Sequence, residues 1–161
     1  MRTMQTEKIW QILNDIKDPE IPVVSVVEMG LIRGVAAGED RLIVSMTPTF
    51  AGCPALQVIQ EEIADRLIRA GNRKVEVRLT YSPPWSSDWI TEPGRQKLKS
   101  FGLAPPPHHA GRLEEALAEQ VLCPFCDSAD TLLKNDFGST LCRAIYFCNH
   151  CRQPFERFKP L

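Results

Sequence analysis

Cys123-Pro-Phe-Cys126 and Cys148-Asn-His-Cys151 decide the fold of the C-terminal part of this chain. Two such pairs in a short segment are typical of a tetrahedral metal site, because four thiolates can surround one soft divalent ion. Zinc is the usual occupant, whereas iron in the same cage would make an electron carrier. So small a segment buries little apolar surface, and its metal would supply the folding energy. We therefore expect a zinc ribbon with zinc as a structural cofactor.

A fifth cysteine and a histidine lie in the same segment. Cys142 is surplus to a four-thiolate cage, so we expect it to be buried, although it could also substitute as a ligand or act as a second reactive thiol. His150 lies inside the second cysteine pair and could replace a neighbouring cysteine, but four cysteines already complete the site. The metal ligands are therefore predicted to be Cys123, Cys126, Cys148 and Cys151.

The N-terminal part of the chain has the order helix, strand, strand, helix, strand. Apolar residues recur at helical spacing in two segments, and three further segments have the alternation or the flanking turns of strands. The helices are predicted at residues 7–16 and 53–70, and the strands at residues 31–36, 41–47 and 74–81. This order predicts the α+β class, with a small α-β-β-α-β sandwich that ends near Tyr81.

Prolines mark the predicted domain boundaries. An aromatic loop at residues 83–90 and a short helix at residues 92–101 follow the sandwich. Pro105-Pro-Pro-His-His-Ala-Gly111 is a stiff, polar stretch that is typical of a tether between domains. We predict a first domain over residues 1–103, a proline-rich tether over residues 104–120 and the ribbon over residues 121–161.

The charge and the hydropathy pattern exclude several classes of partner. The formal net charge is −1 at pH 7, which gives no electrostatic reason to expect a nucleic acid. No apolar run approaches the roughly 20 residues of a membrane-spanning helix, so we expect no membrane partner. The first residues lack the apolar core of a secretory signal, and paired cysteines without one indicate reduced thiols. The expected compartment is the cytoplasm, and a homo-oligomer is compatible with these features.

Cys53 is the candidate reactive residue. It lies in Thr47-Pro-Thr-Phe-Ala-Gly-Cys-Pro54, at or beside the predicted N-cap of the second helix. The amides and the positive dipole end there would lower the pKa of the thiol and favour the thiolate, which binds metal. Thr47 and Thr49 add hydroxyl groups to the loop. No histidine lies nearby to act as a base, so no catalytic residue is assigned; alternatively, Cys53 is a half-buried residue that only begins a helix.

Three segments resemble the iron–sulfur assembly domain family that includes SufT. They are Asp18-Pro-Glu-Ile-Pro22, Val27-Glu-Met-Gly-Leu-Ile32 and Thr47-Pro-Thr-Phe-Ala-Gly-Cys-Pro54. The resemblance implies that the reactive cysteine of the family corresponds to Cys53, and that its acidic turn corresponds to Asp18 and Glu20. A transient iron ion or iron–sulfur cluster would then be held there. Asp-Pro-Glu more often builds a turn without binding a metal, and we favour that interpretation.

The C-terminal half is similar to accessory subunits of the multicomponent phenylacetyl-CoA epoxidases of phenylacetate degradation. The segments that carry this resemblance are Trp85-Ser-Ser-Asp-Trp-Ile90, Gly94-Arg95, Ala104-Pro-Pro106 and Phe137-Gly-Ser-Thr-Leu-Cys-Arg-Ala-Ile-Tyr146. Together with the three N-terminal segments, they extend the resemblance over nearly the whole chain. It implies a non-catalytic protein that matures the iron centre or the iron–sulfur cluster of an oxygenase or reductase subunit. The alternatives are an electron-transfer module with iron in the four-cysteine site and a purely structural assembly subunit. A nucleic-acid-binding ribbon is disfavoured by the charge balance.

Trp85 and Trp89 form a further candidate site. Exposed aromatic side chains are common anchors at protein interfaces, so the two tryptophans are candidates for docking the partner protein. The alternative is a hydrophobic lid that closes the open side of their own domain. Of the two alternatives, we favour the lid.

Overall fold

A computed structural model describes residues 2–72 and 74–161 of the chain, with side chains from Thr6 onward. The chain divides into two compact units, Met1–Trp85 and Ser86–Leu161. Small mixed sheets and helices alternate in both units, which confirms the predicted α+β class. Among the described residues, no helix has the length and apolar character needed to span a bilayer.

The first unit is built around a three-stranded sheet. Its elements are α1 (Arg2–Asn14), β1 (Lys17–Asp18), β2 (Ile21–Ser25), β3 (Ile32–Ala37), β4 (Leu42–Met46), α2 (Leu56–Arg69) and β5 (Val75–Leu79). The sheet order is β3-β4-β5, with β4 antiparallel to β3 and parallel to β5. The parallel pair requires a crossover connection, which α2 supplies. The β1–β2 hairpin is an addition to the predicted order.

The core of the first unit follows from the periodicity of its sequence. Alternate residues of β4, namely Leu42, Val44 and Met46, are buried, as a strand with one buried face requires. In α2 the buried residues recur at intervals of one helical turn, and they are Ile59, Ile63 and Leu67. Burial of these two faces fixes the strand and the helix, and with them the two ends of the loop that joins β4 to α2.

Trp85 closes the first unit instead of presenting a docking surface. Its side chain is only 4% exposed, and its indole Nε1 donates a hydrogen bond of 3.0 Å to the carbonyl oxygen of Met29. Trp89 belongs to the second unit, where it is half-buried in a short 3-10 helix, Ser87–Trp89. The docking role predicted for Trp85 is thus corrected to a lid on its own domain, because a buried indole has no face left for a partner.

The second unit contains the cysteine-rich segment together with everything from Ser86 onward. After the 3-10 helix, its elements are α3 (Glu92–Ser100), β6 (Leu103–Ala104), α4 (Leu113–Ala118), β7 (Thr131–Asn135), β8 (Arg143–Cys148) and β9 (Pro154–Phe158). The strands form one sheet in the order β6-β9-β8-β7. The β6–β9 pair is parallel and the other pairs are antiparallel.

The proline-rich stretch packs against α3 in this second unit. Arg95 of α3 is 6% exposed; it donates hydrogen bonds to the carbonyl oxygen of Pro106 and, at 2.7 Å, to that of Ser87. Burial lowers the pKa of Arg95. The sequence placed residues 86–103 with the first domain and residues 104–120 in a tether, whereas the compact units divide at Trp85. The proline-rich stretch belongs to the second unit because the buried guanidinium of Arg95 needs the carbonyl oxygens of Pro106 and Ser87 as hydrogen-bond acceptors.

Candidate metal centre and the loop of Cys53

Four cysteines of the second unit converge on one point. The sulfur atoms of Cys123, Cys126, Cys148 and Cys151 all lie within 4.8 Å of one another. Cys123 Sγ is 3.6 Å from Cys151 Sγ, and Cys126 Sγ is 3.6 Å from Cys148 Sγ. Zinc–sulfur bonds of about 2.3 Å in a tetrahedron place the sulfur atoms about 3.8 Å apart. The four side chains therefore fit a tetrahedral thiolate site.

The backbone around both cysteine pairs has the same conformation. The amide of Asp127 donates to the carbonyl oxygen of Cys123 at 2.9 Å, and the amide of Arg152 donates to that of Cys148 at 3.0 Å. Asp127 has φ of 59° and Arg152 has φ of 63°, in the left-handed region that few side chains adopt. Each of them directly follows the second cysteine of its pair. The repeated turn aims both pairs of sulfur atoms at a common centre.

An apolar cluster supports this centre. Cys123 and Cys148 are fully buried, and they pack with Ala104, Val121 and Phe155. Tyr146 is stacked on Phe155 with the ring centroids 5.7 Å apart. Because the cysteines are themselves part of the core of the second unit, the metal site and the packing of the ribbon are physically one feature.

The ionisation of the thiols favours a cation at the centre. The Cys151 amide donates to the sulfur of Cys148 at 3.5 Å, and this hydrogen bond lowers the pKa of Cys148 to about 7. Burial raises the pKa of Cys151 to about 12. Thiolates held so close repel one another, so a divalent cation is needed for all four to ionise together. The donor set is therefore suited to a soft metal such as zinc.

Cys142 does not belong to the metal-binding group. It is 7% exposed, and its sulfur lies 3.0 Å from the hydroxyl oxygen of Thr140. His150 lies inside the second cysteine pair but is exposed. Burial, which was the expected state of Cys142, is what the structure shows.

Cys53 lies ahead of α2 and not at its first residue. The helix begins at Leu56 with Ala55 as its N-cap, whereas the sequence predicted a start at Cys53. The carbonyl oxygen of Cys53 accepts the amide of Leu56 at 3.2 Å, which gives a single turn between them. A residue before a proline is driven out of the helical region, and Pro54 therefore excludes Cys53 from the helix. The thiol remains half-buried in the connecting loop.

The two predicted threonines of this loop have different surroundings. Thr47 is 1% exposed, its amide donates to the carbonyl oxygen of Leu31 at 2.8 Å, and its hydroxyl lies 3.3 Å from that of Thr80. Thr49 is half-buried. The hydroxyl of Thr47 is thus engaged with a neighbouring segment, whereas Thr49 lies in the loop that leads to Cys53.

Asp18 forms the turn between β1 and β2. One of its carboxylate oxygens accepts the amide of Glu20 at 2.8 Å and that of Ile21 at 3.2 Å. In the part of the chain that the structure describes, only the four ribbon cysteines form a group of three or more ligands close enough to hold a metal ion. Cys53, Asp18 and Glu20 do not form such a group.

Asp127 and Arg152 are the site residues that the sequence reasoning missed. They supply the repeated backbone turn and not a metal ligand. Their shared position directly after a cysteine pair was the available signal. Neither is a glycine, so residue type alone did not mark them as left-handed.

Comparison with known proteins divides the chain into two matched regions. A family model described as iron-sulfur cluster assembly protein matches residues 6–79, and one described as PaaD zinc beta ribbon domain matches residues 107–159. An Escherichia coli protein named as a putative component of 1,2-phenylacetyl-CoA epoxidase is 38% identical over 155 residues, which cover 96% of this chain and 93% of that protein.

Two further relatives match the N-terminal region. A Porphyromonas gingivalis protein named Fe-S protein maturation auxiliary factor is 37% identical over 98 residues, which cover 59% of this chain and 92% of that protein. The crystal structure of a domain of unknown function from Bacillus anthracis has a TM-score of 0.54 and 27% identity, and the match covers 60% of this chain and 92% of that one.

Proposed function

This chain belongs to the PaaD family of 1,2-phenylacetyl-CoA epoxidase components, as its sequence resemblance predicted, and from that premise we propose that it matures the iron centre of a partner protein. An accessory or iron–sulfur assembly role follows from the family. The finer proposal is that the client is the oxygenase or the reductase of the phenylacetyl-CoA epoxidase system, and that the cargo is iron or an iron–sulfur cluster.

The observation that supports this proposal is the setting of Cys53. Its half-buried thiol lies in the loop between β4 and α2, and it does not belong to a group of three or more His, Cys, Asp or Glu ligands among the described residues. A single thiolate forms one bond to iron, so it holds cargo in an exchangeable way. A permanent site would instead need the closed ligand set found in the ribbon.

Transfer would then be a ligand exchange. The bond between iron and the Cys53 sulfur breaks as a ligand atom of the client forms a bond to the same iron. No electron is transferred, and the released thiolate takes up a proton from water. The cargo would be surrounded by four further residues, Asp18, Glu20, Thr47 and Thr49. In the structure, Asp18 forms a turn and the hydroxyl of Thr47 contacts that of Thr80.

We assign zinc to the four-cysteine site, where its role is structural. Zinc would neutralise the thiolates and hold the two cysteine pairs together without redox chemistry. The same cage geometry also suits iron, which would make the ribbon an electron-transfer module. Metal content and visible absorption of protein purified without oxygen separate the two cases, because ferric tetrathiolate is coloured and zinc tetrathiolate is not.

The proposed function is tested with Cys53→Ser. The client proteins are purified from cells that contain either the wild-type chain or the variant, and their iron content is measured. We expect Cys53→Ser to lower client iron severalfold while the ribbon keeps its metal, because serine removes a thiolate and nothing else in the loop. Cys142→Ala is the matched control, since it removes a buried thiol outside both sites.

Normal iron loading of the client in the presence of Cys53→Ser would overturn the proposal. If deletion of the whole chain still prevented assembly of the epoxidase, the protein would be a structural assembly subunit in which Cys53 has no role.

A further inference from the structure

The ribbon sheet ends in a strand whose outer edge is exposed. The sheet order is β6-β9-β8-β7, so β7 pairs with β8 on one side and has no partner strand among the described residues on the other. Leu132 in β7 is 50% exposed, and Leu133 beside it is 41% exposed. An edge strand presents backbone amide and carbonyl groups on the side that has no neighbouring strand, and with exposed apolar side chains beside them it can accept an added strand.

One face of this edge carries both an aromatic ring and positive charge. Leu132 lies directly opposite Phe147 of β8, so the two side chains share a face of the sheet. Lys134 Nζ is 5.6 Å from the centroid of the Phe147 ring, and Arg152 Cζ is also 5.6 Å from it. We call Leu132, Lys134, Phe147 and Arg152 the ribbon edge.

The two cations of the ribbon edge lack an anionic partner within the described chain. Lys134 and Arg152 are exposed, and no carboxylate of the described residues forms an ion pair with either of them. Two carboxylates of the same unit are engaged elsewhere: Glu156 pairs with Arg143 at 2.9 Å, and Asp130 accepts a hydrogen bond from Asn149 at 2.8 Å. Two cations close to one ring create a positive potential, which an acidic group would neutralise.

We propose that the ribbon edge binds an extended, acidic segment of the client protein, which adds to β7 as a further strand. A carboxylate of the segment would lie between Lys134 and Arg152, and apolar side chains next to it would contact Leu132 and Phe147. This inference rests on the proposed function, since the partner it names is the client of that function. Main-chain hydrogen bonds would supply affinity, and the charge pattern would select the partner.

The same charges argue against a second copy of this chain as the occupant. Edge-to-edge pairing of two β7 strands would bring Lys134 and Arg152 of each copy close to the same cations of the other. Like charges at a short distance destabilise such a pair, and lysine on an edge strand is a common feature that prevents self-pairing. An acidic partner meets no such repulsion.

The inference is tested by binding of the full metal-loaded chain to the purified oxygenase and reductase of the epoxidase. The test variant, which we call the ribbon variant, is Lys134→Glu combined with Arg152→Glu. The matched control is Lys8→Glu combined with Arg69→Glu, which makes the same charge change on exposed helix positions of the first unit. We expect the ribbon variant to weaken binding by about tenfold or more, and the control to change it less than about twofold.

Two further measurements make the result specific to the ribbon edge. Metal content is measured for each variant because Arg152 directly follows a metal ligand, and Lys134→Glu alone serves if the double variant loses its metal. In hydrogen exchange, binding should slow the amides of residues 131–135 and leave those of residues 75–79 in β5 unchanged. Unchanged affinity of the ribbon variant, absence of protection in β7, or protection of β7 by self-association alone would overturn the inference.

Failure of this inference can be told apart from failure of the proposed function. If the ribbon variant binds and loads the client normally while Cys53→Ser leaves the client without iron, the ribbon edge is not the docking site and maturation stands. If client loading is normal with Cys53→Ser but the ribbon variant fails to bind, docking stands and maturation through Cys53 does not.

Discussion

The thiols of Cys53 and Cys142 show how local surroundings decide the chemistry open to a cysteine. Cys142 is buried in the ribbon, with its sulfur 3.0 Å from the hydroxyl of Thr140. Cys53 is half-buried in a loop that a proline keeps out of the following helix. Reaction with iron or with a client requires access to the sulfur, so Cys53 is the better candidate for a transfer role.

Packing and a buried hydrogen bond both hold Trp85 in place. Replacing it by phenylalanine keeps an aromatic ring but leaves the carbonyl oxygen of Met29 without the indole donor. We expect Trp85→Phe to lower the free energy of unfolding of the first unit by roughly 1–3 kcal/mol. Denaturant unfolding monitored in the first unit checks this value. Trp89→Phe, in the second unit, is the control and should leave the unfolding transition of the first unit unchanged. If Trp85→Phe also left that transition unchanged, the hydrogen bond to Met29 would contribute no stability.

The proline-rich segment between β6 and α4 is held down by acceptors and donors from α3 and the 3-10 helix. Arg95 donates to the carbonyl oxygen of Pro106. The carboxylate of Asp88 accepts the amides of His109, at 2.9 Å, and Ala110, at 2.8 Å. Partial burial opposes ionisation of Asp88, but these two amides outweigh it and hold its pKa below the ordinary value. The segment is therefore an ordered part of its unit.

Asp88→Asn tests this anchoring. An amide side chain offers one acceptor oxygen in place of two, so one of the two backbone amides loses its partner. We expect a loss of about 1–2 kcal/mol in the stability of the second unit at pH 7, measured by denaturant unfolding. Because the pKa of Asp88 is lowered, its contribution is fully present above about pH 4 and disappears only as the pH falls through the folded value.

The loss of stability caused by Asp88→Asn should therefore be present at both pH 6 and pH 8, because the Asp88 carboxylate is ionised at both values. Asp136→Asn, at an exposed position, is the control and should change stability by less than about 0.5 kcal/mol. An effect of Asp88→Asn no larger than that of the control would show that the segment is held by other contacts.

The two units differ in what holds each of them together. The first has a core of aliphatic side chains from α1, β4 and α2, in which Leu13, Val44 and Ile63 are fully buried. The second places Cys123 and Cys148 in its apolar cluster, so its core depends on whatever holds the four sulfur atoms together. Metal removal should therefore affect the two units unequally.

Chelation of the metal should unfold the ribbon strands and leave the first unit intact. Without the cation, the thiolates repel or take up protons, and the small cluster beside them cannot hold the sheet alone. In hydrogen exchange, we expect the amides of β7, β8 and β9 to lose protection and those of β4 to keep it. Protected ribbon strands in protein that has been shown to contain no metal would contradict this expectation.

The pH dependence of metal loss has a definite sign. Only deprotonated cysteines bind the metal, so protons compete with it and its affinity falls as the pH falls. A chelator of fixed free concentration should therefore remove the metal more readily at pH 6 than at pH 8. Equal removal at the two values would indicate that the metal is not held by thiolates.

The amino-acid sequence by itself determined the α+β class and the order of the two helices and three sheet strands of the first unit, although not the β1–β2 hairpin. It also predicted the four cysteines that the fold brings together. These features depend on local information, because helical and strand periodicity and the spacing of cysteine pairs are visible along the chain. Its motifs also predicted the family that the comparisons confirm.

Only the tertiary structure decided which partners the side chains find across the chain. Trp85 is buried against the carbonyl oxygen of Met29, 56 positions away, and Arg95 against that of Pro106, 11 positions away. Neither contact leaves a periodic signal in the sequence. The same holds for the unit boundary at Trp85 and for the two cations that lie close to Phe147. Such contacts arise from packing in three dimensions, where burial obliges each polar group to find a partner.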